Sequence, residues 1–153
     1  MSTAVIQEAA ERFKTAIREE VASIQKTYDG VKGKFIEALE KDSLSYAIEW
    51  HAENAAYCER ALELITPLAA FIEGEESLAI MVDRVRQWRD QAVRQVLTRN
   101  PEITSSGWGH RLVGWGAWQA DREFAELLAG EGFGRIGYAF SELDKLTAEE
   151  LAQ

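Results

Sequence analysis

The spacing of the apolar residues limits this chain more than any other feature. From the start they fall at Ile6, Ala10, Phe13, Ile17, Val21, Ile24 and Tyr28, in steps of three and four. That is the period of an amphipathic helix, in which residues three and four apart share a face. The stripe passes Asp29-Gly30 in phase and continues at Val31, Phe35 and Leu39. Either one helix with a kink runs to about residue 40, or two helices meet in a turn at 29–33; the kept phase favours the first.

The same period recurs downstream. Asp42 or Ser43 caps a second helix with the stripe Leu44, Ile48, His51, Ala55, Cys58, Leu62 and Ile65. Thr66-Pro67 then reads as a new cap and first turn, giving a short helix or a bent continuation that ends at Gly74. A third helix begins near Ser77, carries Leu78, Val82, Val85, Trp88, Ala92 and Val96, and stops at Asn100-Pro101. A loop at 100–106 leads into a fourth helix, from Ser106 to about Ala129. The glycines of 130–137 break it, and residues 138–152 are helical again, Thr147 and Glu150 having the spacing of a capping box. No segment alternates with the period of a strand. The chain is expected to be all-α, one helical domain over 1–153, a bundle of four to five helices, mostly antiparallel because the connections are short.

Composition narrows the setting. One cysteine, Cys58, excludes an internal disulfide and suits a reducing compartment. The N-terminus lacks a basic segment followed by an apolar run, and no stretch approaches the roughly 18 apolar residues of a membrane span. A cytoplasmic protein that does not enter membranes is the expectation. The net charge of −9 disfavours nucleic-acid binding by the whole surface. The charge is uneven, however: residues 1–77 carry −7, residues 78–122 carry +3 and residues 123–153 carry −5.

The stretch GEGFGRIGYAF at 130–140 holds Gly132, Gly134 and Gly137 at dinucleotide-fingerprint spacing. Over those six residues GFGRIG resembles the fingerprint of glyceraldehyde-3-phosphate dehydrogenases. The fingerprint works only between a strand and a helix, with a second strand beyond. Here the preceding EFAELLA is helical and 16 residues remain after Gly137, so the glycines read as a helix stop and reversal. A di-iron bundle needs glutamate three before histidine, and His51 and His110 follow Ile48 and Gly107 instead. His51, Cys58 and His110 lack zinc-ligand spacing, and His51 and Cys58 stand about 10 Å apart on one helix, too far for direct proton transfer. The expectation is a non-enzymatic protein with no metal, no cofactor and no evident small-molecule substrate.

The segment SGWGHRLVGWGAWQADREF at 106–124 is the most telling one. Trp108, Leu112 and Trp115 form one stripe, and Val113, Ala117, Ala120 and Phe124 form another. A helix apolar on two sides must be covered on two sides, either by its own chain at the bundle centre or by a partner. Gly109, Gly114, Gly116 and Ala117 permit close backbone approach. On the preceding helix, Arg86, Asp90 and Arg94 have the spacing of an ion-pair ladder. The leading expectation is an interaction or adaptor protein, or a subunit of a larger assembly. It would dock a protein partner, or itself, through Trp108, Arg111, Trp115, Trp118, Arg86 and Arg89. Two alternatives follow from charge: a helical subunit of a nucleoprotein complex using the Arg84–Arg111 region, and an acidic mimic that occupies a partner's basic groove.

Overall fold

Five helices run through the residues that the computed structural model describes, 3–41, 45–98, 108–129 and 134–152; side chains at 45–49, 108–115, 127–129, 134–135 and 151–152 lie outside that description. They are α1 (Thr3–Glu40), α2 (Ser45–Gly74), α3 (Leu78–Thr98), α4 (Trp108–Ala129) and α5 (Gly134–Ala152). No strand occurs among the described residues, so the all-α class read from the apolar spacing holds.

One core is shared by all five helices. Phe13 and Ile17 of α1, Leu68 and Ile72 of α2, Met81 and Val85 of α3, Phe124 of α4, and Phe140 and Leu143 of α5 are buried in a single cluster. Phe13 and Phe140 pack with ring centroids 5.5 Å apart, and Phe71 meets Trp88 edge-on at 5.6 Å. Each fully buried side chain of this kind contributes about 1.5–3 kcal/mol by leaving water. Around the core α2 lies beside α1 and α4, α4 also beside α3 and α5, and α5 beside α1 and α3. Arg18 bonds Glu73 and Tyr28 reaches Glu59, so α1 and α2 run in opposite directions.

Three local readings are settled by packing. The helix α1 is unbroken through Gly30 and Gly33, where an added Cβ would meet nothing within 4 Å. Its stripe is not uniformly buried: Ile6, Ala10, Phe13 and Ile17 are enclosed, Val21 to Phe35 are half-buried, and Leu39 is exposed. The helix α5 meets α1 around Arg12 and Phe13, and further along α1 rests on α2. The helix α2 continues through Pro67, so Thr66 is an interior residue and not a cap. Proline there forfeits one backbone bond at a cost of about 3 kcal/mol, offset by burying Leu68 and Ile72 on either turn beyond it. Likewise α5 runs unbroken from Gly134, and Thr147 caps nothing. Its buried hydroxyl donates back to the Leu143 carbonyl at 2.7 Å, the usual way for a mid-helix threonine to satisfy itself.

Gly116 permits the closest helix contact. A Cβ at this position would overlap the Glu53 carbonyl oxygen of α2 and lie 3.1 Å from its carbon and 3.2 Å from the Tyr57 nitrogen. Backbone cannot swing aside as a flexible side chain can. Gly116→Ala is expected to lower stability by about 1–3 kcal/mol through overpacking. Gly30→Ala, in open space on a helix, is expected to raise it by up to about 1 kcal/mol. Urea midpoints moving in opposite directions check both.

Candidate functional site

The contact at Gly116 opens a polar seam between α2 and α4. The Tyr57 hydroxyl donates to the Glu123 carboxylate. One turn further along, Arg60 Nε donates to Asp121 Oδ1 at 3.0 Å, and its other nitrogens reach Gln95 of α3 at 2.7 Å and Glu63 at 3.0 Å. The Asp121 side chain is 1% exposed and that of Arg60 14%. Burial opposes the Arg60 charge, but the bonds to Asp121 and Glu63 outweigh it and the guanidinium is held charged. Asp121 Oδ2 is buried with no hydrogen-bond partner among the described residues, so this carboxylate relies on its bonded oxygen alone. Asp121→Ala is expected to cost about 1–3 kcal/mol, because Arg60 loses its buried acceptor and keeps only Glu63 and Gln95, whereas Arg60→Met with Asp121→Leu recovers most of that loss. Urea denaturation of the single and double variants measures the difference.

Tyr57 has a second consequence. Burial, and then the bond to Glu123, raise its pKa well above the usual tyrosine value. A raised folded-state pKa gives stability that is complete below the unfolded value of about 10 and is lost as pH rises toward the folded one. Tyr57→Phe is expected to flatten the fall in unfolding midpoint above about pH 10. A series of denaturation curves across the alkaline range tests this.

The seam also fixes what gathers at one end of the bundle. Continuing the α1–α2 pairing past Tyr28 and Glu59 brings residues 36–39 level with the first two turns of α2. Gly116 sets α4 against the next turn of α2, at Glu53 and Tyr57. The Trp118 indole N–H donates to the Val96 carbonyl at 3.0 Å, which brings the end of α3 alongside. Large apolar side chains are exposed on three of these four segments: Ile36 and Leu39 on α1, Trp50 on α2, and Val93 and Leu97 on α3. Trp50 is 56% and Leu97 73% exposed. Scattered singly such residues mean little, but Ile36, Leu39 and Trp50 are exposed at one level of the α1–α2 pair, whereas the Arg60–Gln95 bond sets Val93 and Leu97 two or three turns further along α2. Apolar residues that gather at one level are what marks an interaction site.

The residues expected to meet a partner have different surroundings. Trp108, Arg111 and Trp115 stand in the first turns of α4, at this end, and their side chains lie outside the described residues. Trp118 is half-buried, bonded to Val96 and stacked beneath Arg122 at 5.5 Å, so it joins α4 to its own chain. Arg86 bonds Asp144 of α5, with Nε 3.0 Å from Oδ1, and Asp90 lies 3.7 Å from Arg89. The ladder read along α3 is therefore replaced by a tie between helices: a carboxylate on α5 offers a closer partner than one a turn away. Arg84 lies over both Phe71 and Trp88 at 5.6 Å.

His51 is half-buried, and Cys58 is enclosed in the core, where burial raises the thiol's pKa. The His110 side chain lies outside the described residues. Among the described residues no group of three His, Cys, Asp or Glu side chains is placed to hold a metal ion, and no helix is long and apolar enough to cross a membrane. Comparison with protein-family models, with curated proteins and with solved structures finds no match to this chain.

Proposed function

We propose that this is a non-enzymatic helical interaction protein, an adaptor or a subunit of a larger assembly. It docks a protein partner through the end of the bundle where α1 finishes, α2 starts, α3 finishes and α4 starts. The observation that supports this reading is the exposure of Ile36, Leu39 and Trp50 at one level of the α1–α2 pair, with Leu97 exposed near the end of α3. Trp108, Arg111 and Trp115 belong to the same end by their place in α4, and tryptophan and arginine are the side chains that anchor interfaces most often. Arg86 and Arg89 move to a lesser role, since Arg86 is engaged by Asp144 and Arg89 has Asp90 beside it.

Those same pairs weigh against a nucleic-acid backbone as the partner. Phosphate binding draws on unpaired positive charge, and in α3 Arg86 is neutralised while Arg84 lies over two aromatic rings.

Trp50→Asp and Leu97→Asp remove apolar area that is already exposed, so each is expected to leave the unfolding midpoint within about 0.5 kcal/mol of the parent. Each is also expected to abolish assembly. Sedimentation should give the parent chain a mass above 17.2 kDa, alone or in its native lysate, and the variants the monomer mass. A parent chain that is monomeric in both settings overturns the proposal.

A further inference from the structure

The helix α1 carries two interior glycines that nothing around them requires. A Cβ on Gly116 would strike α2, and Gly74 ends its helix, so each of those has a reason to lack a side chain. Gly30 and Gly33 stand on the exposed side of α1, with nothing within 4 Å of an added Cβ. Both lie inside a helix that runs on to Glu40. There they lose more backbone freedom than alanine would, and each tips the local helix–coil balance about fivefold toward coil.

The same place marks a change in how α1 is held. Before it, Arg12 bonds Glu142 at 3.0 Å, Arg18 bonds Glu73 at 3.1 Å and Tyr28 reaches Glu59 at 3.5 Å, each on another helix. After it, the polar contacts of the described residues are local. Lys32 lies 3.5 Å from Asp29 and 4.2 Å over the Tyr28 ring, and Lys41 bonds Glu37. Val21 and Ile24 still rest on the shared core, whereas Val31, Phe35 and Ala38 stand outside it. Of these Ala38 is buried and the other two half-buried, while Ile36 and Leu39 are 55% and 50% exposed.

We propose that residues 31–40 form an arm that leaves α2 and melts as a unit, released at Gly30–Gly33, while the rest of the bundle stays folded. A helix that short is marginal without tertiary contacts, so undocking and melting go together. Few buried apolar contacts and solvent-facing backbone bonds are the conditions for local opening of this kind. Closed, the arm rests on α2. Open, it presents Val31, Phe35 and Ala38 together with Ile36 and Leu39. The arm thus sets how much apolar surface this end of the bundle offers. It rests on the glycines and on the contacts either side of them, and does not need the docking reading.

Amide hydrogen exchange of the native chain tests it. Amides 34–40 are expected to share one opening constant and to exchange about a hundredfold or more faster than amides 10–17, with a step in protection at the glycines. Gly30→Ala with Gly33→Ala, both in open space, is expected to slow the arm amides about tenfold or more. Exchange is read on the parent and on Trp50→Asp, because an assembly that covers the arm would hide the step in the parent. A step in both chains, or in Trp50→Asp alone, supports the arm. The proposal is overturned if neither chain shows a step, if protection declines smoothly toward residue 40 as at a fraying end, or if the two alanines leave the arm amides unchanged.

Discussion

A missing methyl group at position 116 is the constraint on which the α2–α4 arrangement rests. Gly116 brings the two backbones close enough for Tyr57 to meet Glu123 and for Arg60 to meet Asp121. Those polar contacts form because the helices are near, and they are partly buried for the same reason. A buried ion pair contributes little net stability compared with well-packed apolar groups, but it penalises any arrangement that separates its members. Arg60 also bonds Gln95, so one guanidinium sets α2 against both α4 and α3. Steric permission at the glycine and electrostatic penalty at the arginine act on the same pair of helices. Together they select a register as well as a contact.

Much of this fold is legible in the sequence because helix period and burial answer to the same geometry. Ile6, Phe13 and Ile17 in α1, and Val82, Val85 and Ala92 in α3, are where three-and-four spacing puts them, and all are buried. What the period does not carry is the identity of neighbours. Leu39 continues the α1 stripe in phase, yet is exposed, because a repeating pattern says which side is apolar and not how far along that side another helix extends. Pro67 and Thr147 mislead for a related reason. Both are strong local signals for a helix start, and both are overridden by burial nearby, Ile65, Leu68 and Ile72 around Pro67, and Phe140 and Leu143 before Thr147.

The charged residues show the same divide at the sites. The sequence pairs Arg86 with Asp90, its neighbour on the helix, whereas the fold supplies Asp144 from 58 positions away. Arg60 and Asp121 carry a trace that is readable in retrospect: Asp121 lies on the apolar face of α4, four after Ala117 and three before Phe124, and Arg60 stands between Cys58 and Ala61. A lone charge inside an apolar stripe calls for a buried partner. Its partner, however, sits on another helix, and only the packing of α2 on α4 names it.

Unequal helix length ties these observations together. The helix α1 has 38 residues and α5 has 19, about 57 Å against 29 Å. Beside its first half α1 has α5, and there Ile6, Phe13 and Ile17 are enclosed while small residues leave a groove on the outer face. Beyond that α1 rests on α2, and its apolar residues grade from half-buried to open. Side chains such as Ile36 and Leu39 gain little from folding when left in water, since the stabilisation follows the area removed from it. Trp50 of α2, level with them, is in the same position, and so is Leu97 at the end of α3. A bundle that leaves Ile36, Leu39 and Trp50 open at one end would be covered there most favourably by another apolar surface.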